Sequence, residues 1–195
     1  MKQVLIIGGG DSFKNHRVYL KFLKNFKIDL KKYRAGKHDW KENLQKKLGN
    51  NFDVFLPTMP NRTNAKYSEW KIWFNKLIPQ IKSGVILIGH SLGALFLIKY
   101  LSENKFPKKI RAVFLMAPPY NEGSFSRPRN FRQLEKQAGK LFIYYSEDDK
   151  IVSIKDIEKY KKNVLSAIYK IFEHQGHFNK RSIPGLSREI KKLYK

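Results

Sequence analysis

Ser91 stands at the centre of Gly89-His90-Ser91-Leu92-Gly93, a G-x-S-x-G pentapeptide whose serine is the chain's first candidate nucleophile. Composition alone produces such a pentapeptide in roughly 5–10% of chains of this length, so its flanks must decide. Before it run Val85, Ile86, Leu87 and Ile88, an apolar stretch that suits a strand buried on both faces. After it Leu92, Ala94, Leu95, Phe96, Leu97, Ile98 and Leu101 are apolar almost all round, as expected of a buried helix. Ser91 is therefore expected on a sharp strand-to-helix turn, with glycines on either side to relieve its crowding. That is a nucleophile elbow, which pushes a serine hydroxyl out at the top of a sheet.

A serine hydroxyl attacks a carbonyl only when an imidazole takes its proton, and the imidazole needs an acid to hold its tautomer. On sheets that carry such an elbow, the acid and the histidine follow the serine in chain order. His16 and His38 precede it, and His90 points away by the geometry of the turn. His174 and His177 remain, both past the last strand-like run. His177 lies in Gly176-His177-Phe178, where the glycine lets the loop bring the ring back, and it is preferred to His174. The acid is expected after Leu141–Tyr145, in Ser146-Glu147-Asp148-Asp149-Lys150. Asp149, with the apolar pair Ile151-Val152 just beyond it to anchor the loop, is preferred to Asp148.

The elements that must position these groups alternate along the chain. Strands are expected at Gln3–Ile7, Asp53–Leu56, Val85–Ile88, Ala112–Met116, Leu141–Tyr145 and Ala167–Phe172. Helices are expected near Asn15–Asn25, Trp40–Leu48, Lys66–Ile81, Leu92–Ser102, Asn130–Ala138, Lys155–Asn163 and Leu186–Leu193. This alternation predicts an α/β fold, a mostly parallel, doubly wound sheet of about six strands, with residues 1–195 as one domain. Its ligand site belongs in the loops at the carboxyl ends of the strands.

The first of those loops is Gly8-Gly9-Gly10-Asp11. As a dinucleotide fingerprint it meets Phe13 where a third glycine belongs, although Asp29 stands where a ribose acid would. As an oxyanion loop it would supply a backbone N–H to join the one that follows the nucleophile. With Ser91 in the same chain the second reading is favoured.

The chain has 195 residues, 42% of them hydrophobic, and no cysteine, which excludes disulfides, thiolate metal sites and a cysteine nucleophile. A reducing cytoplasm is the expected setting. No apolar run is long enough to insert in a membrane, and the opening residues are too brief for a signal-peptide core. The net charge of +24 comes from 31 Lys and 9 Arg scattered along the chain, including the pair Lys31-Lys32. Base-edge and phosphate-fork recognition favours Arg. No specific nucleic-acid partner is expected, only salt-sensitive adhesion to polyanions.

The chain resembles the small, nearly cap-less serine hydrolases of the retinoblastoma-binding-protein type, within the α/β-hydrolase fold. The likeness rests on Gly8-Gly9-Gly10-Asp11, Met59-Pro60-Asn61 followed by Trp70, Ile88-Gly89-His90-Ser91, Phe125-Ser126-Arg127-Pro128, Asp148-Asp149 and Gly176-His177-Phe178. The resemblance implies a triad of Ser91, Asp149 and His177, with the N–H groups of Gly10 and Leu92 as oxyanion hole. The stretch from Gly10 to Met59 is longer than is usual there and adds a helix near Trp40–Leu48. The family's proposed protein partner binds through a motif that contains cysteine, so nothing about that partner carries over.

Two function classes follow. One is a serine hydrolase acting on a small-molecule acyl substrate (ester, thioester or amide) without metal or organic cofactor. The other is a non-catalytic binding protein that uses its basic surface for an anionic partner. Phe13, Met59, Tyr120, Phe125 and Phe178 are candidates for the pocket rim or for the core. Arg127 is a candidate for a substrate carboxylate or for plain surface.

Overall fold

The structure, a computed structural model, describes residues 1–28 and 39–194. Asp29, the Lys31-Lys32 pair and His38 lie outside the described residues. Six strands form one sheet in the order β2-β1-β3-β4-β5-β6, and each neighbouring pair is parallel. They are β1 (Lys2–Ile7), β2 (Phe52–Phe55), β3 (Val85–His90), β4 (Ile110–Met116), β5 (Lys140–Ser146) and β6 (Ile168–Phe172). The helices are α1 (His16–Asn25), α2 (Trp40–Leu48), α3 (Tyr67–Leu77), α4 (Leu92–Glu103), α5 (Arg132–Gln137), α6 (Lys155–Asn163) and α7 (Leu186–Lys192).

Strand alternation divides the core in two. Leu5, Ile7, Leu87, Leu115, Ile143 and Tyr145 pack with residues of α3, α4, α5 and α6. Val4, Ile6, Ile88, Phe114, Met116 and Tyr144 pack with α2 and α7 on the other face. Both faces of β3 are apolar because helices cover both, as its continuous apolar run predicts.

Two bounds differ from the sequence expectation for plain physical reasons. β3 runs on through Gly89 and His90, which pair with Leu115 and Met116. α3 stops at Leu77, and Pro79, which lacks an N–H, sits in a 3-10 turn over Ile78–Gln80. α2 has the expected bounds and buries Trp40, Leu44 and Leu48 in the core. The helix that stands apart is α1, which buries none of its residues.

Strand order reverses direction between β1 and β3, so the crevice at their carboxyl ends is the switch point of the sheet. The Gly8–Gly10 run and Ser91 both leave the sheet there. Between β4 and β5 the chain holds a turn closed by Glu122 and Phe125, then α5, and builds no large cap.

Candidate active site

Ser91 takes φ 54°, ψ −123°, left-handed for a residue with a side chain, between the last residue of β3 and the first of α4. Such a conformation costs on the order of 1–3 kcal/mol and persists only where its surroundings impose it. Here the Ser91 N–H donates to the Met116 carbonyl (2.8 Å), while the Ser91 carbonyl accepts from Ala94 and Leu95 as α4 begins. Two glycines make the turn possible. A Cβ on Gly89 would lie 2.5 Å from the Ala94 Cα, and one on Gly93 would lie 2.2 Å from the Ile7 carbonyl oxygen. Any side chain at either position would force α4 away from β3 or β1.

The Gly8–Gly10 run meets Ser91 through Gly9, where a Cβ would lie 3.1 Å from the serine Cβ. Gly10 turns toward the next loop: a Cβ there would lie 2.5 Å from the Arg62 carbonyl oxygen. Arg62 also donates from Nε to the Gly9 carbonyl (2.9 Å), and its own carbonyl accepts from the Asp11 N–H (2.8 Å). Among the described residues, neither the Gly10 nor the Leu92 N–H donates to another residue. The Trp70 indole donates to the Pro60 carbonyl (2.8 Å), which fixes the loop that carries Arg62. Sequence reading missed Arg62; its contacts are to the backbone of a distant loop and leave no periodic trace.

After β5, the Asp149 side chain is fully buried, and its Oδ2 lies 2.8 Å from His177 Nδ1. Its Oδ1 accepts from the N–H groups of Ile151 (2.8 Å) and Val152 (3.1 Å). Burial pushes this carboxyl's pKa up. The hydrogen bonds from His177, Ile151 and Val152 outweigh that and hold it below its ordinary value. Asp148 does not meet the imidazole. It accepts from the Ser146 hydroxyl (2.6 Å) and the Gly176 N–H (2.7 Å), which lower its pKa. His174 is exposed and does not line the cleft.

The loop that carries His177 is gripped at four successive residues. Gln175 N–H donates to Ser146 Oγ (2.8 Å) and Gly176 N–H to Asp148. The His177 carbonyl accepts from His90 Nε2 (2.8 Å), and the Phe178 carbonyl from the Trp40 indole (2.8 Å). Gly176 (φ 54°) and Phe178 (φ 50°) supply the left-handed turns around the histidine. His90 is buried, and burial, Lys41 and His177 hold its pKa well below the ordinary 6.5. Its ring is thus neutral, with the proton on Nε2 facing the carbonyl.

Ser91 and His177 line one open cleft of about 920 Å³, to which the loops after all six strands contribute. No hydrogen bond joins the two side chains. Catalytic contacts of this kind often tighten only when substrate is bound. Of the expected rim residues only Met59 lines the cleft; Leu56, Pro57, Ile151 and Val152 join it as apolar wall. Phe125 and Phe178 are fully buried core. Phe13 packs on Tyr19 and Phe22, and Tyr120 on Tyr160. Arg127 lies over the Tyr120 ring and is not among the residues that line the cleft.

A parallel six-stranded sheet with a strained serine at its switch point defines an α/β-hydrolase. A family model described as serine hydrolase matches residues 33–192, and the chain belongs to that family. The ydeN gene product of B. subtilis shares the fold across 100% of this chain and 99% of its own, with 16% identity and TM-score 0.77. A putative yden-like hydrolase from Pectobacterium atrosepticum is 17% identical over 99% of this chain and 90% of its own (TM-score 0.64). A thioesterase domain from the curacin biosynthetic pathway is 12% identical over 100% and 91% (TM-score 0.62). Likenesses at such identities show the fold. No curated protein matches the chain by sequence.

Proposed function

We propose that this hydrolase cleaves a small ester, thioester or amide through an acyl-enzyme, with Ser91 as nucleophile, His177 as general base and acid, and Asp149 as its partner. Within the family, the short motifs shared with the retinoblastoma-binding-protein type favour that branch. The observation that carries the reading is the 2.8 Å contact between a fully buried, ionised Asp149 and His177 Nδ1, in the cleft that Ser91 enters. This contact supports a tautomer with the proton on Nδ1 and Nε2 open to accept one.

Ser91 Oγ attacks the substrate carbonyl carbon while His177 Nε2 takes the hydroxyl proton. The carbonyl oxygen becomes an oxyanion, for which the N–H groups of Gly10 and Leu92 are the donors. Collapse breaks the bond to the leaving group, which departs with the proton from His177. Water then attacks the acyl-serine, gives its proton to His177 and releases the acid, with Ser91 restored.

The test is hydrolysis of short activated esters by the purified chain and by Ser91→Ala. Loss of the nucleophile removes on the order of 10⁴- to 10⁶-fold in rate. Unchanged turnover in the folded variant would overturn the assignment.

A further inference from the structure

Among the described α-helices, α1 alone buries no residue. Yet its sequence is two-sided. At 100° per residue Val18, Tyr19, Phe22 and Leu23 fall within about 140° with Leu20 at their edge, while Arg17, Lys21 and Lys24 cluster within about 60° on the other side. Phe26 and Ile28 extend the apolar side beyond the helix. Val18, Leu20, Leu23, Phe26 and Ile28 are between 43% and 70% exposed. From Ser12 to Ile28 there are five Lys or Arg and no acidic residue.

Each half of this pattern limits the partner. A nucleic acid would engage the cations and leave the apolar side in water. A second copy would cover the apolar side, but only by pressing together two chains of net charge +24. An anionic bilayer satisfies both halves: apolar side chains enter the acyl boundary while lysine and arginine stay among the headgroups. We propose that α1 is an interfacial helix that seats this protein on an anionic lipid surface. Asn15 caps α1 four residues after Asp11, which lines the cleft, so the seated helix brings the cleft's rim close to the lipid. The proposal does not depend on the hydrolase reading, and its test reads binding rather than turnover.

The full chain is floated with vesicles of phosphatidylcholine and phosphatidylglycerol in equal parts, and with vesicles of phosphatidylcholine alone. Binding to the mixed vesicles is expected, with much less to the neutral ones. Arg17→Gln/Lys21→Gln/Lys24→Gln is expected to weaken it about 100-fold. Lys105→Gln/Lys108→Gln/Lys109→Gln, a charge-matched change at an exposed site remote from α1, is expected to leave most of it. Leu20→Ser/Leu23→Ser/Phe26→Ser, all exposed, is expected to weaken vesicle binding at least tenfold while retention on heparin stays unchanged. Vesicle binding that ignores the serine substitutions overturns the proposal, because the charged coat alone would then explain it. So does the absence of binding, or a dimer that those substitutions dissolve.

Discussion

His90 Nε2 lies 2.8 Å from the carbonyl oxygen of His177, so the residue before Ser91 holds the residue we propose as its base. The elbow and the histidine loop are thereby one unit, although 87 positions separate them in the chain. His90→Leu leaves a carbonyl in a crowded site without its donor and frees the loop. The expected outcome is a fall in kcat of about 100-fold, the scale of a misplaced catalytic group, with little change in KM. His90→Gln, whose amide reaches about as far as Nε2, should recover most of it. Steady-state kinetics on the three proteins checks this.

The same buried imidazole makes stability depend on pH. Its pKa is depressed on folding, so below the ordinary value of 6.5 the unfolded chain binds a proton that the folded one refuses. Stability from this group is complete above pH 6.5 and falls as pH drops, by at most about 1.4 kcal/mol per unit. Asp149 is also depressed, and its contribution is lost only as pH falls through the region below 3.8. Urea unfolding between pH 7 and 5 should therefore show a decline that His90→Gln flattens and Asp149→Asn does not.

The two carboxylates after β5 hold different partners, Asp149 the His177 ring and Asp148 the Ser146 hydroxyl and Gly176 N–H. Asp149→Asn should cost about 10⁴-fold in kcat, because an amide beside Nδ1 favours the wrong tautomer. Asp148→Asn should cost about tenfold, since it loosens the Gly176 contact without touching the ring. Reversed magnitudes would make Asp148 the partner of the base.

Most of the sheet was legible because a strand buried on both faces has no other composition to use, and β1, β3, β4 and β5 each read as apolar runs. Helices α2 and α6 begin and end where the sequence predicts. The turn at Ser91 and the meeting of Asp149 with His177 were legible because their loops carry glycine or an apolar anchor beside these residues. What escaped depends on contacts between distant loops. Arg62 buttresses Gly9, and His90, read as pointing away, does so in order to hold His177. Phe125 and Phe178 read equally as rim or core, and packing alone decides that. In α1 the periodicity predicts a helix correctly, but a periodic apolar side usually means burial, and here it meets water.

Among the described residues the cleft is lined by more carboxylates than cations, with Asp39 paired to Lys41 and Asp156 to Lys159. Asp11, Asp39, Glu42, Glu122 and Asp156 line it against Lys41 and Arg62, on a chain with 40 basic and 16 acidic residues. Burial raises the pKa of Asp11, and burial together with Asp11 raises that of Glu122, so the two carboxylates sense one another. An ester bearing an ammonium group should show a KM roughly 3- to 10-fold below that of its carboxylate counterpart at low salt. Asp11→Asn/Glu122→Gln should narrow the gap, and kinetics with the paired substrates reads it.

We propose Ser91 as a nucleophile activated by His177. A fluorophosphonate probe followed by mass spectrometry of the intact and digested chain tests it most directly, because the reagent phosphonylates a serine in proportion to that activation. One adduct per chain is expected, on the peptide that contains Ser91. It should vanish in Ser91→Ala and form at least 100-fold more slowly in His177→Ala. A folded chain that takes up no probe, or takes it up on another residue at an unchanged rate in both variants, would contradict that role for Ser91.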